Sequence, residues 1–243
     1  MPTRTKAKKA TPAKPAVPKK KAARKPKVDL RPERIQAILD GLRKAYPNAE
    51  CALLHSSPWE LVVATILSAQ CTDVRVNLVT PQLFKNFPTP EAFADASLVA
   101  IEEDIRTTGF YHNKAKSISG AAKLLVSKFG SKVPQTMAEL LELPGVARKT
   151  ANVVLGVAFK KAEGIVVDTH VLRLSYRLQL TLATDAKKVE QDLVKIIPRD
   201  RWIDISHELI LHGRAVCIAR KPKCSLCTIE PLCNAMDKTW SSH

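Results

Sequence analysis

The chain has 243 residues, 45% of them hydrophobic, enough for one large domain or two small ones. Its formal net charge is +16, but residues 1–28 hold eleven Lys or Arg and no acid, which leaves +5 for the rest. No apolar run approaches the roughly 20 residues that a membrane helix needs, and none follows the basic start, so neither a membrane span nor a secretory signal is expected.

Residues 1–28 also contain Pro2, Pro12, Pro15, Pro18 and Pro26, with only Val17 and Val28 as branched aliphatics. Such a segment cannot bury a core and is expected to be a disordered basic tail. It lacks the amphipathic, Ser-rich character of a mitochondrial presequence. It reads either as a solubilising arm or as a non-specific DNA tether acting through counterion release. The run from Lys19 to Lys25 would serve as a nuclear import signal in a eukaryote. In a bacterium the expected location is the cytoplasm and nucleoid.

Helical periodicity dominates after residue 29. Pro32 marks a helix start, and Ile35, Ile38, Leu39, Leu42 and Tyr46 form one apolar stripe ending at Pro47. Ser57-Pro58-Trp59-Glu60 is a capping box with proline at the first helical position, launching Leu61 to Ala69. Further starts lie at Thr72-Asp73, Thr89-Pro90-Glu91, Ser97 and Asn113, with Gly109 and Gly130 as stop signals. Segments 136–143, 148–159, 169–178, 185–197 and 203–213 complete an all-α pattern. Only Ile165-Val166-Val167 hints at extended chain. Cys51 and Cys71 stand alone on helical or near-helical ground and are expected to be buried small hydrophobes. A disulfide framework is not expected without an export signal.

The stretch Leu143-Pro144-Gly145-Val146-Ala147-Arg148-Lys149-Thr150-Ala151 places a tight Pro-Gly turn between two helical patterns. An ordinary αα-hairpin would suit this turn, but Arg148, Lys149 and Thr150 crowd polar groups at one end of an otherwise apolar helix. Cations at a helix N-terminus oppose the macrodipole, so an anion is expected there, and a phosphate is the natural one. Asp168 follows Lys149 by nineteen residues, in Val167-Asp168-Thr169-His170. An amine beside a phosphate-binding turn, with a carboxylate near, meets the needs of Schiff-base chemistry on a nucleic-acid sugar. Asp168 also suits a plain helix N-cap, and both roles can coexist.

Cys217, Cys224, Cys227 and Cys233 are separated by gaps of six, two and five residues. Four thiols within seventeen residues read as metal ligands. Spacing alone leaves structural zinc and a [4Fe–4S] cluster equally open. The loop between the first two carries Arg220, Lys221 and Lys223. A metal site that fixes such a loop would hold these charges for phosphate contact, a reading preferred to that of a merely solvated basic loop.

Together these motifs resemble the endonuclease III family of DNA repair glycosylases, within the helix-hairpin-helix superfamily. The likeness runs from about residue 30 to Cys233, through Leu67-Ser68-Ala69-Gln70-Cys71-Thr72-Asp73, the hairpin, Val167-Asp168-Thr169-His170, Leu211-His212-Gly213-Arg214 and the four cysteines. The hairpin departs from the family at Ala147, where glycine is usual.

The resemblance implies that Lys149 is the nucleophile, with Asp168 acting on the developing sugar cation and on proton transfers. The amine must be uncharged near pH 7, which desolvation, the helix N-terminus or neighbouring Arg148 would favour. The resemblance also implies a [4Fe–4S] cluster on Cys217, Cys224, Cys227 and Cys233. Gly145, Ala147 and Arg148 would meet a DNA phosphate. Gln70 and Phe110 would fill the gap left by an extruded nucleotide, Phe110 replacing the family's usual leucine. Without the resemblance, Phe110 beside Tyr111 reads as a core aromatic pair. Asn113 and Lys114 are weaker candidates for strand contact, and His170 and His212 are expected to be structural hydrogen-bonders.

The implied protein is a monomeric bifunctional DNA glycosylase and abasic-site lyase. It removes oxidised or ring-saturated pyrimidines from double-stranded DNA and cleaves 3′ to the abasic site by β-elimination. Its fold would be all-α in two lobes. One is a six-helix barrel with the helix-hairpin-helix, residues 52–162. The other joins residues 29–51 with 163–243 and carries the cluster. Two rivals are a related adenine glycosylase and a non-catalytic DNA-binding or redox-sensing protein. Lys149 argues against the first, and its coexistence with Asp168 against the second.

Overall fold

The computed structural model describes residues 27–242. The disordered-tail and tether readings fall almost wholly on residues 1–26, outside this range. Among the described residues there is no β-strand. The chain forms α1 (Pro32–Ala45), α2 (Pro58–Leu67), α3 (Asp73–Asn86), α4 (Pro90–Asp95), α5 (Leu98–Ile105), α6 (Tyr111–Phe129), α7 (Met137–Leu140), α8 (Arg148–Phe159), α9 (Thr169–Arg177), α10 (Ala186–Ile196) and α11 (Trp202–Ala215). Among the described residues no helix is long and apolar enough to cross a membrane.

Local chemistry explains most boundaries. Ser57, Thr72, Thr89, Ser97 and Thr136 each accept a hydrogen bond from the backbone N–H three residues on, and Asp185 does the same for α10. In the capping box at α2, Ser57 Oγ accepts from Glu60 N as expected. The returning Glu60 carboxylate takes its bonds one residue earlier, from the Ser56 N–H and hydroxyl. Gly130 ends α6 in the left-handed region.

Three expectations need correction. The pattern over 136–143 gives only the single turn of α7, because Leu141 to Leu143 already curl into the Pro-Gly turn. Helix α6 begins at Tyr111, two residues before Asn113, since the carbonyl of Phe110 accepts from both Asn113 N and Lys114 N. Cys51 and Cys71 lie in connecting segments and are half-buried. Ile165 to Val167 remain irregular, with Ile165 and Val167 buried and Val166 N donating to Ser206 Oγ.

The buried apolar residues fall into two clusters. The first runs from Leu53 to Leu155 and surrounds α2. Eight of the ten α2 residues are buried, so this helix is apolar on every side and forms the axis of its cluster. The second joins Ile35, Ile38, Leu39 and Leu42 of α1 to α9, α10, α11 and Ile229. The N-terminal helix therefore packs with the C-terminal third of the chain. Buried Arg34 ties them further, donating to the carbonyls of Leu178 and Leu232. Helices α8 and α9, one from each cluster, bring their N-termini to a shared cleft.

Candidate functional site: a cleft between two helix N-termini

The turn ahead of α8 is set by Gly145, whose φ of +80° suits glycine. A Cβ there would also stand 2.7 Å from Ser117 Cβ. Leu143 and Val146 anchor the turn in the core on either side, and Val146 N donates to Leu143 O. Ala147 has φ −90° and ψ 171°, ordinary extended backbone, so its methyl imposes no strain where the family has glycine. Gly145→Ala is therefore expected to lose about 2 kcal/mol from the left-handed φ and the crowding. Ala147→Gly should lose less than about 1 kcal/mol. Thermal unfolding of the two variants side by side checks this difference.

Ala147 gives α8 no side-chain cap, in contrast to α2–α5, α7, α9 and α10. The first N–H groups of α8 are thus left for an outside acceptor. Lys149 is exposed and forms no ion pair among the described residues. Arg148 does have an anion, but a protein one. Its Nε and Nη2 donate to the two carboxylate oxygens of Glu190 at 2.8 and 3.0 Å, and Asn152 Nδ2 donates to the same carboxylate. Glu190 on α10 thus balances the Arg148 charge and joins the two clusters.

Lys149 and Asp168 line one cleft of about 100 Å³, with Cys51, Ser68, Asp73 and Arg214. Asp73 and Arg214, from opposite clusters, pair across it at 2.7 Å. Asp168 caps α9: its Oδ1 accepts from His170 N at 2.8 Å and Val171 N at 2.9 Å. Both bonds fall on one oxygen, which leaves Oδ2 for the cleft.

Gln70 and Phe110 are both exposed, Phe110 at 63%. The core-pair reading of Phe110 with Tyr111 is thereby overturned; Tyr111 packs against His112 instead. Both residues adopt the left-handed region, Gln70 at φ 53° and Phe110 at φ 50°, which is unfavourable for residues with a Cβ. Lys114 does not face outward as a strand contact. It is buried, and its ammonium donates to Leu67 O at 2.7 Å and Thr108 O at 2.8 Å.

Cys217, Cys224, Cys227 and Cys233 line a single small cavity of about 30 Å³. Arg177 Nη1 donates to Cys217 Sγ at 3.4 Å, and His212 Nε2 lies 3.4 Å from Cys227 Sγ. Among the described residues, no three Cys, His, Asp or Glu side chains converge on one ion-sized position. His212 also bonds Tyr46 Oη, and burial lowers its pKa to about 4, in keeping with a neutral structural ring. His170 sits beside Arg173. Arg220, Lys221 and Lys223 are exposed and form no ion pair among the described residues.

This geometry has relatives. Residues 63–199 match the family described as HhH-GPD superfamily base excision DNA repair protein. The chain is 55% identical over 201 residues to Endonuclease III of Synechocystis sp., covering 83% of this chain and 92% of that one. Against Endonuclease III of Escherichia coli K12 it is 43% identical, covering 83% and 95%. The chain belongs to the endonuclease III family. A solved structure of a trapped Endonuclease III–DNA covalent intermediate matches it with a TM-score of 0.80 at 43% identity, covering 85% of this chain and 97% of that one.

Sequence reasoning missed Glu190 and did not foresee where the Lys114 side chain goes. Glu190 lies in a helix whose pattern shows only an amphipathic stripe, and nothing local marks it as the partner of Arg148. Lys114 follows Phe110 by four residues, a place where a lysine ordinarily points to solvent. Its burial follows from where α2 ends in space, which a linear pattern does not carry.

Proposed function

We propose that this endonuclease III family protein is a bifunctional DNA glycosylase and abasic-site lyase acting on oxidised or ring-saturated pyrimidines in duplex DNA. The observation that carries this reading is the meeting of Lys149 and Asp168, from two helix N-termini in separate clusters, in one cleft. The uncapped start of α8 supplies backbone N–H groups to a DNA phosphate at Gly145, Ala147 and Arg148. Gln70 and Phe110 enter the stack as the damaged nucleotide leaves it. Arg220, Lys221 and Lys223 hold the flanking backbone.

Lys149 Nζ attacks C1′, the glycosidic bond breaks and the base departs carrying a proton. The nitrogen lone pair then opens the C1′–O4′ bond, O4′ takes up a proton, and a protonated imine joins Nζ to C1′. Removal of a C2′ proton then expels the 3′ phosphate. Oδ2 of Asp168 faces the positive charge that develops on the sugar, at a point held by the two N–H bonds to Oδ1. Because Lys149 is exposed and Arg148 is already paired, the water around the amine is removed by the entering nucleotide.

The chemistry of the four thiols fits the [4Fe–4S] cluster implied for Cys217, Cys224, Cys227 and Cys233. All four line one cavity, as the ligands of a single cluster must, and thiolates are the donors such a cluster takes. Arg177 and His212 would donate to or buffer the sulfurs. When bound, the cluster supplies a rigid cross-link for the basic loop. Residues 52–162 form the barrel lobe in this reading, and 29–51 with 163–243 the cluster lobe. The protein would work as a monomer on the nucleoid in a bacterial cytoplasm.

The test is a panel of defined duplexes bearing single oxidised pyrimidines or an abasic site, incubated with the cluster-loaded protein. Base release and strand cleavage 3′ to the site, with a borohydride-trapped adduct on the abasic strand, are expected. Well-folded protein that cleaves no member of the panel would reduce the chain to a DNA-binding module.

A further inference from the structure

We propose that Lys114 is a positioning residue that locks the Gln70 and Phe110 turns into one rigid two-pronged wedge. The inference rests on the glycosylase reading above and adds a residue to it. Leu67 is the last residue of α2, three before Gln70, and Thr108 lies two before Phe110. One ammonium bridges the two carbonyls, and the Lys114 backbone N–H donates to the carbonyl of Phe110 itself. Lys114 thus touches both turns at three points, while each prong stays exposed and left-handed.

The physical case is the cost of keeping a cation there. Lys114 is 5% exposed, no carboxylate pairs with it among the described residues, and burial disfavours its charged form. An apolar side chain would fill the space more cheaply. What lysine adds is a pair of strong, directional bonds to the carbonyls of these two turns. The Leu67 carbonyl lies at the C-terminus of α2, where the dipole favours a cation. Strained φ values persist only where the surroundings over-determine them. A prong already fixed in its bound conformation loses no freedom on entering the stack. Two prongs fixed to each other enter together, matching the single opening that an extruded nucleotide leaves.

Lys114→Met in the full-length, cluster-loaded protein tests this by splitting base extrusion from sugar chemistry. Single-turnover excision of an oxidised pyrimidine paired in duplex DNA should fall about 10- to 100-fold. Borohydride trapping at an abasic site opposite a baseless tetrahydrofuran residue, where no pair is opened, should fall less than about 3-fold. In a Gln70→Ala, Phe110→Ala background the same Lys114 substitution should cost less than about 3-fold further, since its effect runs through the prongs. Equal losses on both substrates, an additive loss in that background, or no loss at all would overturn the proposal. If Lys114→Met does not fold, Lys114→Gln, which keeps one donor, carries the same comparisons. Wild-type protein that forms no adduct at an abasic site and excises no paired base would instead sink the reading on which this one rests.

Discussion

Lys149→Ala is expected to abolish the borohydride adduct on abasic-site DNA and to lower strand cleavage by a factor on the order of 10³ or more. The fold should be untouched, because Lys149 is exposed, makes no ion pair among the described residues and sits at the start of a helix that tolerates alanine. Removing its charge should weaken DNA binding only modestly and reduce the salt slope by about one. Lys149→Arg sharpens the test. Arginine keeps the charge for phosphate but stays protonated, so affinity should be preserved while the adduct is lost. An adduct that survives Lys149→Ala would place the nucleophile elsewhere and remove the lyase assignment from this cleft.

Much of the site was legible because its signals are local. The positive φ at Gly145 follows from a Pro-Gly turn between helices, and the cap made by Asp168 follows from its place before Thr169. The exposure of Phe110 was not legible from periodicity, since adjacent aromatics read as core until the left-handed turn turns one of them outward. The partner of Arg148 was not legible either. A cation at a helix start announces that an anion is needed, but whether that anion is DNA or Glu190 depends on packing between residues 42 positions apart. Short-range capping and turn chemistry are written residue by residue, whereas long-range pairing appears only once the helices have packed.

Asp168→Asn is expected to separate the two duties of that carboxylate. Asparagine is as good an N-cap as aspartate, and its carbonyl oxygen can accept from His170 N and Val171 N as Oδ1 does now. The thermal midpoint should therefore move little, with a change below about 0.5 kcal/mol. The charge facing the sugar is gone, so base release should fall by about 10² to 10⁴-fold. Asp168→Ala removes both functions and should also lose about 1 kcal/mol of stability from the uncapped α9. Thermal unfolding of the pair, measured beside single-turnover excision, resolves the duties. An asparagine variant as unstable as the alanine variant, or one with wild-type excision, would show that the carboxylate serves the helix alone. The charge then belongs to the mechanism only if activity falls while the cap holds, because a group tied by Oδ1 to two N–H donors acts through an oxygen whose position the helix itself fixes.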